Sequence, residues 1–339
     1  MPKIAFFDTK PYDKYWFDRA SGGRLDITYF ETKLAARSAR LGAGFDAVCA
    51  FVNDDLDTEA VNILADCGVK LIAMRSAGYS NVDLKTAGKR NIPVVRVPAY
   101  SPHAVAEHAA ALLLGVNRRI PRSYIRTRDF NFSLAGLCGT DLHGKCAGVI
   151  GTGKIGQAFI GILRGFGMEI VAYDPYPAKL DGVENVSLDG LFRRADVISL
   201  HCPLTKESYH ILDGDAYAAM KEGVFIINTS RGALIDSRAL LDALNSGKVR
   251  GAGLDVYEEE AELFFEDWSD RIVLDETLSL LVSRPNVIIT SHQGFFTEEA
   301  LQAIAETTVS NILAFFDGRI VNEVIPPEAS PTEFTVSGV

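Results

Sequence analysis

Val149-Ile150-Gly151-Thr152-Gly153-Lys154-Ile155-Gly156 is the stretch on which the reading of this chain turns. A bare G-x-G-x-x-G is weak, because glycines are common at any tight turn. Here an apolar run precedes it and a helix-like stretch, Gln157 to Phe166, follows it. In that context the glycines let backbone approach a pyrophosphate, and the helix start offers unbonded N–H groups and a favourable dipole. Asp174 closes the next apolar run, 18 residues after Gly156. An acid there accepts hydrogen bonds from an adenosine ribose and repels a 2′-phosphate, so NAD is the expected cofactor rather than NADP.

Working outward, short apolar runs alternate with helix-length intervals. After the glycine stretch the expected strands are Ile170–Tyr173, Val197–His201, Val224–Asn228, Ala252–Val256 and Val287–Thr290; with Ala147–Ile150 they make six. Before it, Ile4–Phe7, Ile27–Phe30, Ala47–Val52, Leu71–Met74 and Val94–Val97 make a second set. Runs apolar on both faces, separated by helices, imply parallel sheets covered on both sides. The fold class is therefore α/β, with two Rossmann-like doubly wound parallel-sheet domains. Ser101-Pro102 reads as an N-cap followed by Pro at the first helical position. Thr297 reads as the N-cap of a last helix, Glu298 to Phe316, which lies beyond the second set of strands and returns to the first domain. The expected division is 1–100 plus 299–339 for a discontinuous substrate domain and 101–298 for the cofactor domain. The tail from Pro326 has no apolar periodicity and is expected to be mobile.

Composition narrows the function classes. The 339 residues are 47% hydrophobic and 23% charged, in the range of a globular protein. The net charge is −10, and no Lys/Arg cluster offers a nucleic-acid surface. The longest apolar stretch, Ala109 to Val116, is far short of the roughly 20 residues that span a bilayer. The start of the chain reads as a strand rather than a secretory signal. Its five cysteines contain no CxxC pair, which argues against a disulfide framework or a zinc site. The expectation is a cytoplasmic protein with no metal, no nucleic acid and no membrane partner.

Arg231, Glu260 and His292 each follow an expected strand, with separations of 29 and 32 residues, about one βα unit. Open α/β sheets place ligands at the carboxyl ends of their strands, so such residues converge. Reduction of a 2-keto acid needs a proton for the carbonyl oxygen and a cation for the carboxylate. Imidazolium supplies the first, and a carboxylate on its other nitrogen fixes the tautomer. Guanidinium supplies the second. Singly, each residue has a plainer reading: a structural histidine, an interface arginine, and an acid in the solvated run Glu258-Glu259-Glu260-Ala261-Glu262.

Phe51-Val52-Asn53-Asp54-Asp55, Arg75-Ser76-Ala77-Gly78, Val97-Pro98-Ala99-Tyr100, Val105-Ala106-Glu107-His108, Asn228-Thr229-Ser230-Arg231-Gly232-Ala233, Gly253-Leu254-Asp255-Val256-Tyr257-Glu258 and His292-Gln293-Gly294-Phe295-Phe296-Thr297, with the glycine stretch, settle the choice. With these motifs the chain resembles the D-2-hydroxyacid dehydrogenases, most closely their bacterial-type fermentative D-lactate dehydrogenase branch, from about residue 3 to 325. The resemblance implies an active site in a cleft between two domains. It implies that Arg231 binds the substrate carboxylate, that His292 is the acid/base and that Glu260 is its partner. Ala77 and Gly78 would offer backbone N–H groups, with Tyr100 at the cleft. Phe51, Phe295 and Phe296 would wall off the C3 side chain and favour pyruvate. Cys202-Pro203, Thr229-Ser230, Asp255 and Gly294 would line the nicotinamide side. Gly294 stands where close relatives tend to carry Ala, and the missing methyl is expected to loosen the pocket. The implied assembly is a homodimer or homotetramer, with the helix from Ser101 and the arm from Asn117 to Phe132 as its element. The rivals are a dehydrogenase for glyoxylate, hydroxypyruvate or phenylpyruvate and an NADH-sensing corepressor-like protein.

Overall fold

The computed structural model describes residues 1–260 and 263–325. The tail from Pro326, and Ala261 and Glu262 of the acidic run, lie outside the described residues. The chain divides into two compact units, residues 1–101 with 296–339 and residues 102–295. Phe296 falls in the first unit because its ring meets Tyr12 edge-on at 4.8 Å, and Thr297 then caps the last helix.

The first unit holds a five-stranded sheet in the order β2-β1-β3-β4-β5. Its strands are β1 (Lys3–Phe6), β2 (Asp26–Tyr29), β3 (Ala47–Ala50), β4 (Leu71–Met74) and β5 (Val94–Val95). All four pairings are parallel. Every residue of β3 and β4 is buried, which explains why Ala-Val-Cys-Ala and Leu-Ile-Ala-Met carry no polar alternation. Helix Glu298–Phe316 packs on helix Pro11–Ser21. Its Thr297 cap accepts from Ala300 N, and Glu298 and Glu299 occupy the first turn. Beyond it the chain meets the edge of β5, where Val324 N donates to Val94 O.

The second unit holds seven strands, ordered β12-β11-β10-β9-β6-β7-β8 and again all parallel. They are β6 (Cys146–Ile150), β7 (Glu169–Tyr173), β8 (Val183–Asn185), β9 (Val197–Leu200), β10 (Val224–Asn228), β11 (Val249–Leu254) and β12 (Val287–Ile289). This corrects the expected six. β8 is three residues long, Val-Glu-Asn, on a half-exposed edge, and so has no apolar run to announce it. Helix Pro102–Asn117 lies on β10 and β11. It approaches closely because β11 offers Gly251 and Gly253, where a Cβ would collide with Val116 and Leu112.

In both sheets the strand order reverses once, between β1 and β3 and between β6 and β9. Such a switch point opens a crevice at the carboxyl ends of the strands.

Candidate active site

The glycine loop leaves β6 at the switch point of the seven-stranded sheet. Gly151 has φ +99°, and a Cβ on it would overlap the His201 carbonyl beyond β9. A Cβ on Gly156 would overlap the Gly151 carbonyl. Gly153, by contrast, meets nothing within 4 Å. It caps helix Lys154–Gly165, which begins three residues earlier than expected, and no side chain bonds that helix end. An open glycine before uncapped N–H groups fits a pyrophosphate. Asp174 ends at the same loop: its Oδ2 accepts from Thr152 N at 2.7 Å and Thr152 Oγ1 at 2.9 Å, and its Oδ1 accepts from Tyr176 N at 2.8 Å. These bonds orient the carboxylate that the sequence assigned to the ribose. Burial, with a smaller push from Asp174, raises the Cys202 thiol to about 12, so it stays protonated and is not a nucleophile.

Arg231, Glu260 and His292 follow β10, β11 and β12, which are neighbours in the sheet. His292 Nδ1 lies 2.8 Å from Glu260 Oε1, and the other oxygen of Glu260 accepts from Tyr257 N at 2.8 Å. The two side chains are 23% and 22% exposed, so the pair meets solvent. Phe265 stands 6.0 Å from the imidazole and 6.5 Å from the ring of Phe295, which is buried. Arg231 is held by its backbone: Asn228 Nδ2 donates to its carbonyl at 2.8 Å, and its own Nη1 donates to Ser230 O at 2.7 Å. Ser230 Oγ donates to Leu200 O of β9.

Asp255, read from sequence as a nicotinamide-side residue, lies buried beneath the His292 turn. Oδ1 accepts from Gln293 N at 2.8 Å and Thr290 Oγ1 at 2.6 Å, and Oδ2 accepts from Gly294 N at 2.7 Å. His108 Nε2 sits 3.1 Å from Oδ1, and His292 N donates to the Asp255 carbonyl. Burial alone would raise this carboxyl; the bonds from His108, Thr290 and Gly294 outweigh it and hold it below its ordinary range. They also hold His292 at φ +54°, a left-handed backbone that a non-glycine residue adopts only when its surroundings impose it. A Cβ on Gly294 would stand 2.9 Å from Asp255 Oδ2 and 3.5 Å from the His108 ring. The missing methyl therefore points into this buried hub, which corrects the expectation that it loosens the substrate pocket.

In the first unit, Ser76-Ala77-Gly78 follows β4. Arg96 Nη1 donates to Ala77 O at 2.8 Å, and Ser76 Oγ donates to Gly78 O at 2.7 Å. Phe51 is fixed at both ends: its N–H donates to Asp54 Oδ2 and its carbonyl accepts from Asn81 Nδ2. Arg75, 2% exposed, is sandwiched between Phe6 and Phe51 at 4.5 and 4.6 Å and donates to Asp8 O. Phe296 is 49% exposed beside Tyr12.

Sequence reasoning missed His108, Thr290, Arg75 and Tyr12 as parts of these clusters. His108 and Asp255 are 147 residues apart, and no local spacing connects them. Arg75 and His108 lie within quoted motifs, but a motif names a residue without its partner.

The chain belongs to the D-isomer specific 2-hydroxyacid dehydrogenase family, whose NAD binding domain matches residues 110–294. It is thus an oxidoreductase with NAD as its cofactor. It is 51% identical to the D-lactate dehydrogenase of Escherichia coli over 91% of this chain and 95% of that one. Among solved structures, the pyruvate reductase of Chlamydomonas reinhardtii matches with TM-score 0.89 and 42% identity, covering 94% of this chain and 97% of that one. The D-lactate dehydrogenase of Aquifex aeolicus complexed with NAD and lactic acid matches with TM-score 0.83 and 33% identity, covering 96% and 100%. No described helix is long and apolar enough to cross a membrane.

Proposed function

We propose that the chain is an NAD-dependent D-lactate dehydrogenase that reduces pyruvate to D-lactate. The observation that carries this reading is the 2.8 Å bond between His292 Nδ1 and Glu260 Oε1, on a turn locked by Asp255. Glu260 fixes the ring so that Nε2 presents the proton for the keto oxygen. Arg231 grips the substrate carboxylate and aligns the carbonyl. NADH, when bound, supplies the hydride. The glycine loop 151–156 and Asp174 hold the dinucleotide, with Cys202-Pro203 and Thr229-Ser230 toward its nicotinamide end, and Asp255 and Gly294 in the buried hub that supports the His292 turn. The N–H groups of Ala77 and Gly78 meet the substrate carboxylate beside Tyr100, and Phe51, Phe295 and Phe296 limit the C3 side chain to about the size of a methyl group. The reaction consumes one proton, so reduction is favoured at lower pH.

The enzyme works in the cytoplasm as a homodimer or homotetramer. Ile125, Phe130, Phe132 and Leu134, all exposed on the arm after helix Pro102–Asn117, support that assembly.

NADH consumption against a panel of 2-keto acids, with chiral analysis of the product, tests the reading. Pyruvate turned over fastest, giving D-lactate, is the expected result. A faster bulkier acid would transfer the reading to another 2-keto acid, and tight NADH binding without turnover would replace it with a cofactor-sensing protein.

A further inference from the structure

Besides His292–Glu260 and His108–Asp255, a third histidine–carboxylate pair lies in the cofactor unit, and neither the acid/base step nor the buried hub uses it. His210 Nε2 and Glu258 Oε1 are 2.5 Å apart, with side chains 25% and 24% exposed. The imidazole is stacked on Tyr209, ring centres 3.9 Å apart. A pair on an open surface contributes little. This one is built into three segments of backbone. His210 N donates to Ala233 O, and Leu212 N donates to Leu234 O, so the His210 segment runs alongside residues 233–236. Ser237 N lies 3.4 Å from the second oxygen of Glu258.

Between these contacts lies the turn that presents Arg231. Gly232 is seated so closely on the Tyr257–Glu258 peptide that any Cβ would overlap it. The N–H of Tyr257 in turn donates to Glu260, the partner of His292. The peptide under the Arg231 turn therefore directly follows the one whose N–H orients Glu260, with Tyr257 as their shared residue. Glu258 reaches from it round the turn to His210 and Ser237.

We propose that His210 and Glu258 are a positioning pair that clamps the Arg231 turn onto the Glu260 segment and thereby sets the grip on the substrate carboxylate. The inference rests on the proposed dehydrogenase reading, in which Arg231 holds that carboxylate. It predicts a loss in binding of the 2-keto acid and not of the dinucleotide, because the glycine loop and Asp174 share no bond with the clamp.

The test uses His210→Asn and Glu258→Gln singly and together, with steady-state kinetics in both substrates and thermal unfolding. Asn suits position 210 because the backbone there has φ +50°, where asparagine is among the more tolerant residues. Each single variant is expected to raise KM for the 2-keto acid about tenfold while KM for NADH stays within about twofold and kcat within about threefold. The double variant should be no worse than either single one, since both remove the same clamp. An unchanged keto-acid KM in folded variants, or additive losses, would overturn the proposal. So would a fall in the melting temperature that carries both KM values and kcat with it, the mark of a purely structural pair. The wild-type chain is scored on whichever 2-keto acid it reduces best, so a preference other than pyruvate revises the reading without touching the clamp. A wild type that reduces none overturns both.

Discussion

The carboxyl ends of the two sheets handle charge in opposite ways. In the five-stranded sheet, Arg75 is sealed between Phe6 and Phe51, with Asp8 and Asp13 around it. Burial pushes the Asp13 carboxyl up despite the pull of Arg75. In the seven-stranded sheet the ionisable groups come as half-exposed pairs, His292 with Glu260 and His210 with Glu258, above a buried acceptor, Asp255. A sealed charge cannot exchange a proton with a ligand, so it can only hold backbone and rings in place. A half-exposed pair keeps one partner oriented while its reactive atom meets what binds. The same topological rule supplies both platforms, and depth of burial separates their tasks.

The sharpest way to break this contrast is at His292. Replacement by Ala should lower kcat about a thousandfold and leave thermal unfolding nearly unchanged, as expected for loss of a general acid from a half-exposed site. Stopped-flow reduction of pyruvate reads the first quantity and calorimetry the second; retained turnover would remove the assignment. Arg75→Met should do the reverse. Leaving Asp8 and Asp13 without their buried cation should cost about 3 kcal/mol of stability in urea unfolding, with kcat moved far less than by His292→Ala. Equal effects on both readouts would erase the contrast.

Glu260→Gln sharpens it within the exposed pair. The amide no longer fixes the imidazole with a charge, and kcat should fall about a hundredfold, less than for loss of the imidazole itself. His201 tests depth of burial alone. It is largely buried under the glycine loop, bonded to Ser199, and burial lowers its pKa from 6.5 to about 3. Between those values the unfolded chain takes up a proton and the folded chain does not, so stability drains away as pH falls through that window and is untouched above it. In His201→Gln the urea midpoint should fall less steeply with acid; an unchanged slope would mean that the site admits water. The smallest effect is expected for Gly294→Ala. Its methyl would stand 2.9 Å from Asp255 Oδ2, closer than a Cβ tolerates, so the strain falls on the hub rather than on the substrate wall. The ratio of kcat/KM for pyruvate over a bulkier keto acid should change by less than about threefold, where an open wall would give a larger change.

How much of this was legible beforehand varies by residue. The Leu71–Met74 and Val224–Asn228 strands and the Glu298–Phe316 helix can be read to the residue, because burial on both faces and a Thr cap with two acids are local signals. β8 is not legible, because a three-residue edge strand is held by its neighbour and not by its own composition. Arg231, Glu260 and His292 stand out because each follows an apolar run at βα spacing. Their supports do not. Nothing along the chain joins His108 to Asp255, or His210 to Glu258 across 48 residues.

The sequence by itself determined the alternation of strands and helices, the glycine loop with its acid, the family and the three residues proposed for the chemistry. All of these are encoded by periodicity or by short motifs, which one stretch of chain can carry. The tertiary structure alone decided which carboxylates meet His108 and His210, that Asp255 is a buried anchor and that the absent methyl of Gly294 points inward. A side chain's partner depends on where distant strands place it, and that distance is set only when the sheet has formed.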